Sequence, residues 1–196
     1  LDGKKLSEEI LEDLRRKIEK SGKKLKLAAV LVGEDKNSKI FLRQKEKACN
    51  FVGVDFQLYQ FPENISQKSL FQKIKEISRG ENHGIIIQLP LPKHIDTQEI
   101  LNLIPQEKNI DVFPLSPVVE GIKALLKEYK IKIQGKKAAV VGRGRLVGQP
   151  VIKWLEKQRI EIVQDIKTAD IVISGVGKPG FIISGDMIKR GAVVVD

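Results

Sequence analysis

Residues 137–150 read Lys-Ala-Ala-Val-Val-Gly-Arg-Gly-Arg-Leu-Val-Gly-Gln-Pro, and this stretch restricts the fold more than any other. The apolar run over 138–141 suits a strand buried on both faces. Gly142 and Gly144 let the main chain turn tightly and bring its N–H groups close to a ligand. Beyond them Val147, Val151, Ile152, Trp154 and Leu155 recur at helical spacing. Strand, glycine turn and helix therefore follow in order. The helix points its positive end at the turn, an arrangement that favours phosphate.

The spacing Gly142-x-Gly144-x3-Gly148 is one residue longer than the usual dinucleotide fingerprint. The same glycines fit a bare strand-to-helix turn. Arg143 and Arg145 favour a ligand, because two guanidinium groups beside such a turn suit an anion, including one with an extra phosphate. Each arginine also reads as an ordinary surface charge.

The chain has 196 residues, 41% hydrophobic and 31% charged, the profile of an ordinary globular protein. Its apolar runs are too short to span a bilayer, and no secretory signal opens it. A single cysteine, Cys49, and two histidines, His83 and His94, leave no internal disulfide and no zinc or iron constellation, so no metal is expected. A reducing cytoplasm fits this usage. The formal net charge of +10 raises nucleic acid as a partner. However, the basic residues are scattered and aromatics make up only 5%, so the reading is solvated helix faces, without nucleic acid or membrane as partner.

Apolar and polar periods alternate along the chain. Leu6, Ile10, Leu11, Leu14 and Ile18 share a helical face, with Ser7 as the expected N-cap. Residues 25–32 form a strand, and 34–38 a polar loop. A helix carrying Ile40, Phe41, Gln44, Lys45, Ala48 and Phe51 closes at Gly53. Residues 54–61 alternate as a half-buried strand, and Ser66 caps a helix that ends before Gly80. A buried strand over 84–88 runs into Leu-Pro-Leu-Pro, and 95–104 is a short helical region. Pro114-Leu-Ser-Pro117 marks a domain boundary. A helix from Val118 to about Tyr129 and the glycine turn follow. Strands come next over 161–163, 169–174 and 192–195, with a second glycine loop over 175–180. Such alternation predicts parallel sheets covered by helices.

Three polar residues stand where strands give way to loops. Lys45 is on the helix after the first strand, where it can point over the sheet's carboxyl edge. A lysine kept from bulk water gives up its proton more readily and can serve in proton transfer. Gln88 ends a buried strand and offers both a donor and an acceptor. The Asp111 carboxylate can accept paired hydrogen bonds from an N–C–N edge such as a pterin. In turn they also read as an exposed helix lysine, a strand-end surface residue and a loop aspartate in an Asx-turn. Phe41, one turn before Lys45, is expected to pack beside it.

Taken together the chain resembles the bifunctional methylenetetrahydrofolate dehydrogenase/methenyltetrahydrofolate cyclohydrolase family. The matching pieces are Val-Gly-Glu-Asp-Lys-Asn-Ser at 32–38 with Lys45, Gly-Ile-Ile-Ile-Gln-Leu-Pro-Leu-Pro at 84–92, Lys-Asn-Ile-Asp at 108–111, the glycine turn at 142–150, and residues 169–179 and 191–196. The resemblance implies an α/β protein of two domains with a cleft between them. Residues 1–116 would be a three-layer α/β substrate domain, and 117–196 a Rossmann-like NADP-binding domain. It implies oxidation of 5,10-methylenetetrahydrofolate with NADP, hydrolysis of the methenyl product to 10-formyltetrahydrofolate, and a homodimer. Lys45, Gln88, Asp111 and Phe41 match the catalytic positions. Phe41, Lys45, Ile87, Gln88, Leu89 and Asp111 match the folate site. Gly142, Arg143, Gly144, Arg145, Val147, Gly148, Val176, Gly177 and Pro179 match the cofactor site, and Arg143 is the family's sign of NADP.

The sequence departs from that pattern at Phe41, where most of the family has tyrosine, and at Val112, where it has glycine. The family's Pro-Cys-Thr-Pro ahead of the linking helix is here Ser-Pro-Val-Val. It also has a longer loop between Ser116 and Pro117, a His-Ser loop between Val163 and Asp165, and further segments after Asp196. The expectation is that these are flexible parts of the protein outside this sequence. Phe41 and the missing segments leave a second reading, a folate- or nucleotide-binding homologue that has lost catalysis. A basic nucleic-acid-binding protein is a third, motivated by charge alone.

Overall fold

The computed structural model describes residues 2–111, 116–176 and 180–196. The chain divides into two units, one of Ser7–Val112 and one of Leu1–Leu6 with Phe113–Asp196. Among the described residues no helix is long and apolar enough to cross a membrane.

Helix α1 (Gly3–Ser21) starts earlier than its sequence suggests. Asp2 Oδ1 accepts from the amides of Lys4 and Lys5, so Asp2 does the capping expected of Ser7, which is exposed inside the helix.

In the Ser7–Val112 unit, β1 (Leu25–Val32) is the middle of a parallel sheet. It is flanked by β2 (Val54–Phe61) and β3 (Gly84–Ile87), in the order β2-β1-β3. Its side chains alternate between two helical layers. Ala28, Val30 and Val32 join Ile85 and Ile87 against Leu70, Ile74 and Ile77 of α3 (Gln67–Arg79) and Ile100 and Leu101 of α4 (Thr97–Leu101). Ala29 and Leu31 face Leu42 of α2 (Lys36–Val52). A strand buried on both faces must be apolar throughout, as residues 27–32 are.

Helix α2 also begins earlier than expected. Asp35 Oδ2 accepts from Ser38 N at 2.7 Å, which draws Lys36, Asn37 and Ser38 from the polar loop into the first turn. Gly53 ends the helix with φ 80°, the left-handed C-cap that its position suggests. Ser66 caps α3 as expected, its side chain accepting from Ser69 N.

The other unit has a parallel sheet ordered β5-β4-β6-β7: β4 (Lys137–Val141), β5 (Glu161–Ile162), β6 (Ile171–Ser174) and β7 (Val193–Val195). Helices α5 (Pro117–Glu128) and α6 (Gly148–Lys157) cover one face. Val119, Ile122, Val151 and Leu155 pack there on Ala138, Ile171 and Ile173. On the other face Ala139 and Val172 meet Val163, Ile166, Ile183 and Ile188, from short segments and 3-10 turns.

Candidate active site

In the Ser7–Val112 unit the chemistry-bearing residues gather at the carboxyl ends of β1 and β3. Helix α2 presents Ser38, Leu42 and Cys49 to the sheet as buried residues. Lys45 lies three residues beyond Leu42 and seven beyond Ser38, so it shares that face and its ammonium reaches the sheet's edge. Gln88 continues β3 by one residue, donating its backbone N–H to Val30 O at 2.9 Å. The residue is only 8% exposed.

Both ends of the Gln88 amide are engaged. Nε2 donates to Leu89 O at 3.0 Å, and Oε1 accepts from Lys45 Nζ at 3.2 Å. With the amide nitrogen held by a carbonyl, the oxygen is the atom turned to the lysine. On the other side Asp111 Oδ2 lies 3.7 Å from Lys45 Nζ. The residues leading to Asp111 lie along β3, through a parallel bridge between Asn109 and Ile85. The two side chains of the pair are about one-third exposed. Burial pushes the Asp111 carboxyl above the usual carboxylate value, and the Lys45 charge partly opposes this.

The arrangement thus brings Lys45, Gln88 and Asp111 together from three separate stretches. An amine sits between an amide oxygen and a carboxylate, open to solvent on one side, where it can bind a polar ring edge and pass protons. Phe41, one turn before Lys45 on α2, is 60% exposed and outside the core. Ile87 is buried in the core on the α3 face, so of the expected folate contacts it has only its main chain to offer. Leu89 is half-buried, and its carbonyl takes the Gln88 amide. A larger hollow of about 390 Å³ lies between α1 and the far end of α2, beside Ile18 and Phe51, away from this cluster. Among the described residues no group of three or more His, Cys, Asp or Glu is placed to hold a metal ion.

In the other unit the glycine turn follows β4. Gly142 has φ 87°, a conformation that strains residues with a side chain. The turn is closed by close packing at Gly148 and Gly175. A Cβ on Gly148 would stand 2.0 Å from Gly142 O, and one on Gly175 would stand 2.6 Å from Val147 Cγ1. Helix α6 starts at Gly148 without a side-chain cap, but Gln149 N donates to Gly144 O at 3.0 Å and Pro150 has no N–H, which narrows what the first turn can offer an anion to the Gly148 N–H. Beside the turn a cleft of about 270 Å³ is lined by Val141, Gly142, Arg143, Ile152, Val163 and Gln164. Arg143, Gly144 and Arg145 are exposed, and Val176 is half-buried. Gly177 and Pro179 lie outside the described residues, as does Val112. A tightly closed glycine turn and an arginine at the cleft fit a phosphate-bearing dinucleotide.

Residues 1–111 match the family model described as tetrahydrofolate dehydrogenase/cyclohydrolase, catalytic domain. Residues 116–196 match its companion, the NAD(P)-binding domain. This chain belongs to the tetrahydrofolate dehydrogenase/cyclohydrolase family. The bifunctional protein FolD of Nautilia profundicola is 37% identical, over all of this chain and 78% of that relative. That alignment spans 226 positions against 196 residues here, so the relative has segments without a counterpart in this chain. The crystal structure of the bifunctional FolD enzyme of Campylobacter jejuni is similar, with a TM-score of 0.89 and 32% identity over 100% of this chain and 79% of that one. The Trypanosoma brucei FolD structure, complexed with NADP cofactor and inhibitor, also has a TM-score of 0.89. It is 27% identical, covering 99% of this chain and 76% of its own.

Lys108 and Asn109 belong to the 108–111 motif, yet nothing in the sequence marks either as a site residue. Their contacts run to residues 24 to 30 positions away, which no local pattern reveals.

Proposed function

We propose that Lys45, Gln88 and Asp111 carry out this family's folate chemistry in this chain, and that the turn after β4 receives NADP. The chain is a methylenetetrahydrofolate dehydrogenase and methenyltetrahydrofolate cyclohydrolase. In the first reaction a hydride leaves the methylene carbon that bridges two folate nitrogens, and a methenyl cation remains. NADP, when bound, accepts that hydride. In the second, water adds to the methenyl carbon, one carbon–nitrogen bond opens to give the 10-formyl compound, and a proton is released.

Asp111 holds the pterin through its N–C–N edge, with the carboxylate as a paired acceptor. Lys45 orients the one-carbon bridge and the attacking water and carries the proton that hydrolysis releases. Gln88 fixes the lysine so that little motion is lost in reaching the working geometry. The observation that carries the reading is the 3.2 Å contact of Lys45 with Gln88 beside the 3.7 Å approach to Asp111.

Support for NADP over NAD comes from the cleft. Arg143 lines it, and the side chain beyond β5 is neutral Gln164 rather than an acid. The nearest carboxylate in sequence, Asp165, is engaged in its own turn, accepting from Lys167 N at 3.0 Å. An acid there would grip a ribose hydroxyl, whereas a neutral side chain with an arginine admits a phosphate. The reading includes a homodimer, which the family resemblance implies, and a cytoplasmic setting, for which cysteine usage is the support.

The test is one set of assays on the wild type and Lys45→Met. NADP and NAD are compared with methylenetetrahydrofolate, and methenyl hydrolysis is followed separately. Lys45→Met lowers hydrolysis by about a hundredfold or more, the usual contribution of a proton-transfer group. Hydrolysis within a few-fold of wild type, with the fold intact, overturns the assignment.

A further inference from the structure

The stretch before Asp111 is tied down more firmly than the proposed chemistry requires. Lys108 ends a 3-10 turn (Gln106–Lys108), and its side chain crosses to the carboxyl end of α3. There Nζ donates to Ser78 O at 2.9 Å and to Gly80 O at 2.7 Å. Carbonyls at a helix end lack intrahelical partners and carry partial negative charge, so an ammonium suits them. Asn109 bridges to Ile85 of β3, and its Oδ1 is 3.4 Å from Asp111 N. Ile110 lies over Gly84, where an added Cβ would stand 3.2 Å from Ile110 Cδ1. Three successive residues are thus anchored to the end of α3, the edge of β3 and the gap at Gly84, and the next is Asp111.

We infer that Lys108 is a positioning residue for folate binding: by gripping the end of α3 it fixes residues 108–111 along β3 and so holds the Asp111 carboxylate in place. This rests on the role proposed above for Asp111. The end of α3 has other closures. Gly80 N and Asn82 Nδ2 both donate to Ile77 O, at 3.1 Å each. Neither of those two bonds involves residues 105–111. A lysine that only capped the helix would act as Asn82 does, on stability alone. A lysine that also sets the register of Asp111 acts on substrate.

The experiment compares Lys108→Met, Asn82→Ala, Gly84→Ala and Asp111→Asn in the full chain, by thermal unfolding and by dehydrogenase kinetics at saturating NADP. Lys108→Met raises KM for methylenetetrahydrofolate roughly tenfold with kcat less affected, the mark of a lost binding geometry, while Asn82→Ala leaves KM within about twofold. Gly84→Ala, which pushes on Ile110 and on Leu27 of β1 rather than on Lys108, shifts KM in the same direction. It keeps the question open to refutation should Lys108→Met fail to fold. Lys108→Arg, which retains a cation and its donors, restores part of the loss. If Lys108→Met and Gly84→Ala both bind substrate as Asn82→Ala does, Lys108 is a helix cap and the inference is wrong. If Asp111→Asn itself leaves KM unchanged, it is the role of Asp111 that fails.

Discussion

Replacing Gly148 by alanine separates the two activities. The added methyl would stand 2.0 Å from Gly142 O and 2.7 Å from Arg143 Cα. Both atoms belong to the main chain of the turn, so no side-chain tip can swing aside. Relief requires the start of α6 and the turn to part by about 1 Å, in an interior packed as densely as a crystal. Overpacking of that kind costs about 3 kcal/mol at the upper end of its range. If most of it is felt where the turn meets the dinucleotide, affinity falls by about a hundredfold, since 1.4 kcal/mol is about a factor of ten. The matched control is Gly144→Ala, where an added Cβ meets nothing within 4 Å. The assay follows NADPH formation against NADP concentration, methenyl hydrolysis without NADP, and unfolding temperature. Gly148→Ala raises KM for NADP steeply and lowers the unfolding temperature. Hydrolysis stays within about threefold, because Lys45, Gln88 and Asp111 stand on a separate core. A wild-type KM for NADP in Gly148→Ala, or an equal loss in Gly144→Ala, refutes the reasoning.

Asp111 gives a signed pH dependence. Its carboxyl is pushed above the ordinary value of 3.8 mainly by burial, so the folded chain holds that proton more tightly than the unfolded one. The stability it contributes is fully present below 3.8 and is lost as pH rises through the raised folded value. The wild type therefore loses stability relative to Asp111→Asn as pH rises through that window, measured as the difference in urea midpoints. A flat difference means that the Lys45 charge cancels the effect of burial, and one of opposite slope that it outweighs it. Phe41→Tyr adds a hydroxyl one turn from Lys45 on a ring already 60% exposed. Stability changes by no more than about 0.5 kcal/mol, as at other exposed sites, while hydrolysis rises relative to dehydrogenation; an unchanged ratio shows that position 41 does not reach the lysine's chemistry.

The strands could be read from the sequence because burial on both faces leaves a continuous apolar run, and a half-buried edge leaves alternation. Leu25–Val32 and Val54–Phe61 show the two cases. Helix starts were harder. Asp2 and Ser7 are both good caps, and only the hydrogen bonds choose between them. Lys36, Asn37 and Ser38 look like a loop by polarity, yet Ser38 is 2% exposed once Asp35 caps the turn. Lys45, Gln88 and Asp111 could each be flagged as polar residues at strand ends. That they meet follows from the order β2-β1-β3, which puts the ends of β1 and β3 side by side. The orientation of the Gln88 amide, the exposure of Phe41 and the reach of Lys108 depend on contacts across the fold and leave no local trace.

The two reactions make different demands, and this gives each residue a distinguishable signature. Removing a hydride transfers no proton, so a base is not required and the rate depends on holding carbon and acceptor in line. Opening the methenyl cation requires a water to lose protons, so it depends on a group that can take them. Residues of the glycine turn should then affect dehydrogenation and spare hydrolysis. Asp111 and the segment that anchors it should affect both alike through substrate binding. Lys45 should weigh more heavily on hydrolysis than on dehydrogenation. A Lys45 variant that lost both activities in equal proportion, with KM alone changed, would mark that residue as a binding group and assign the proton to water.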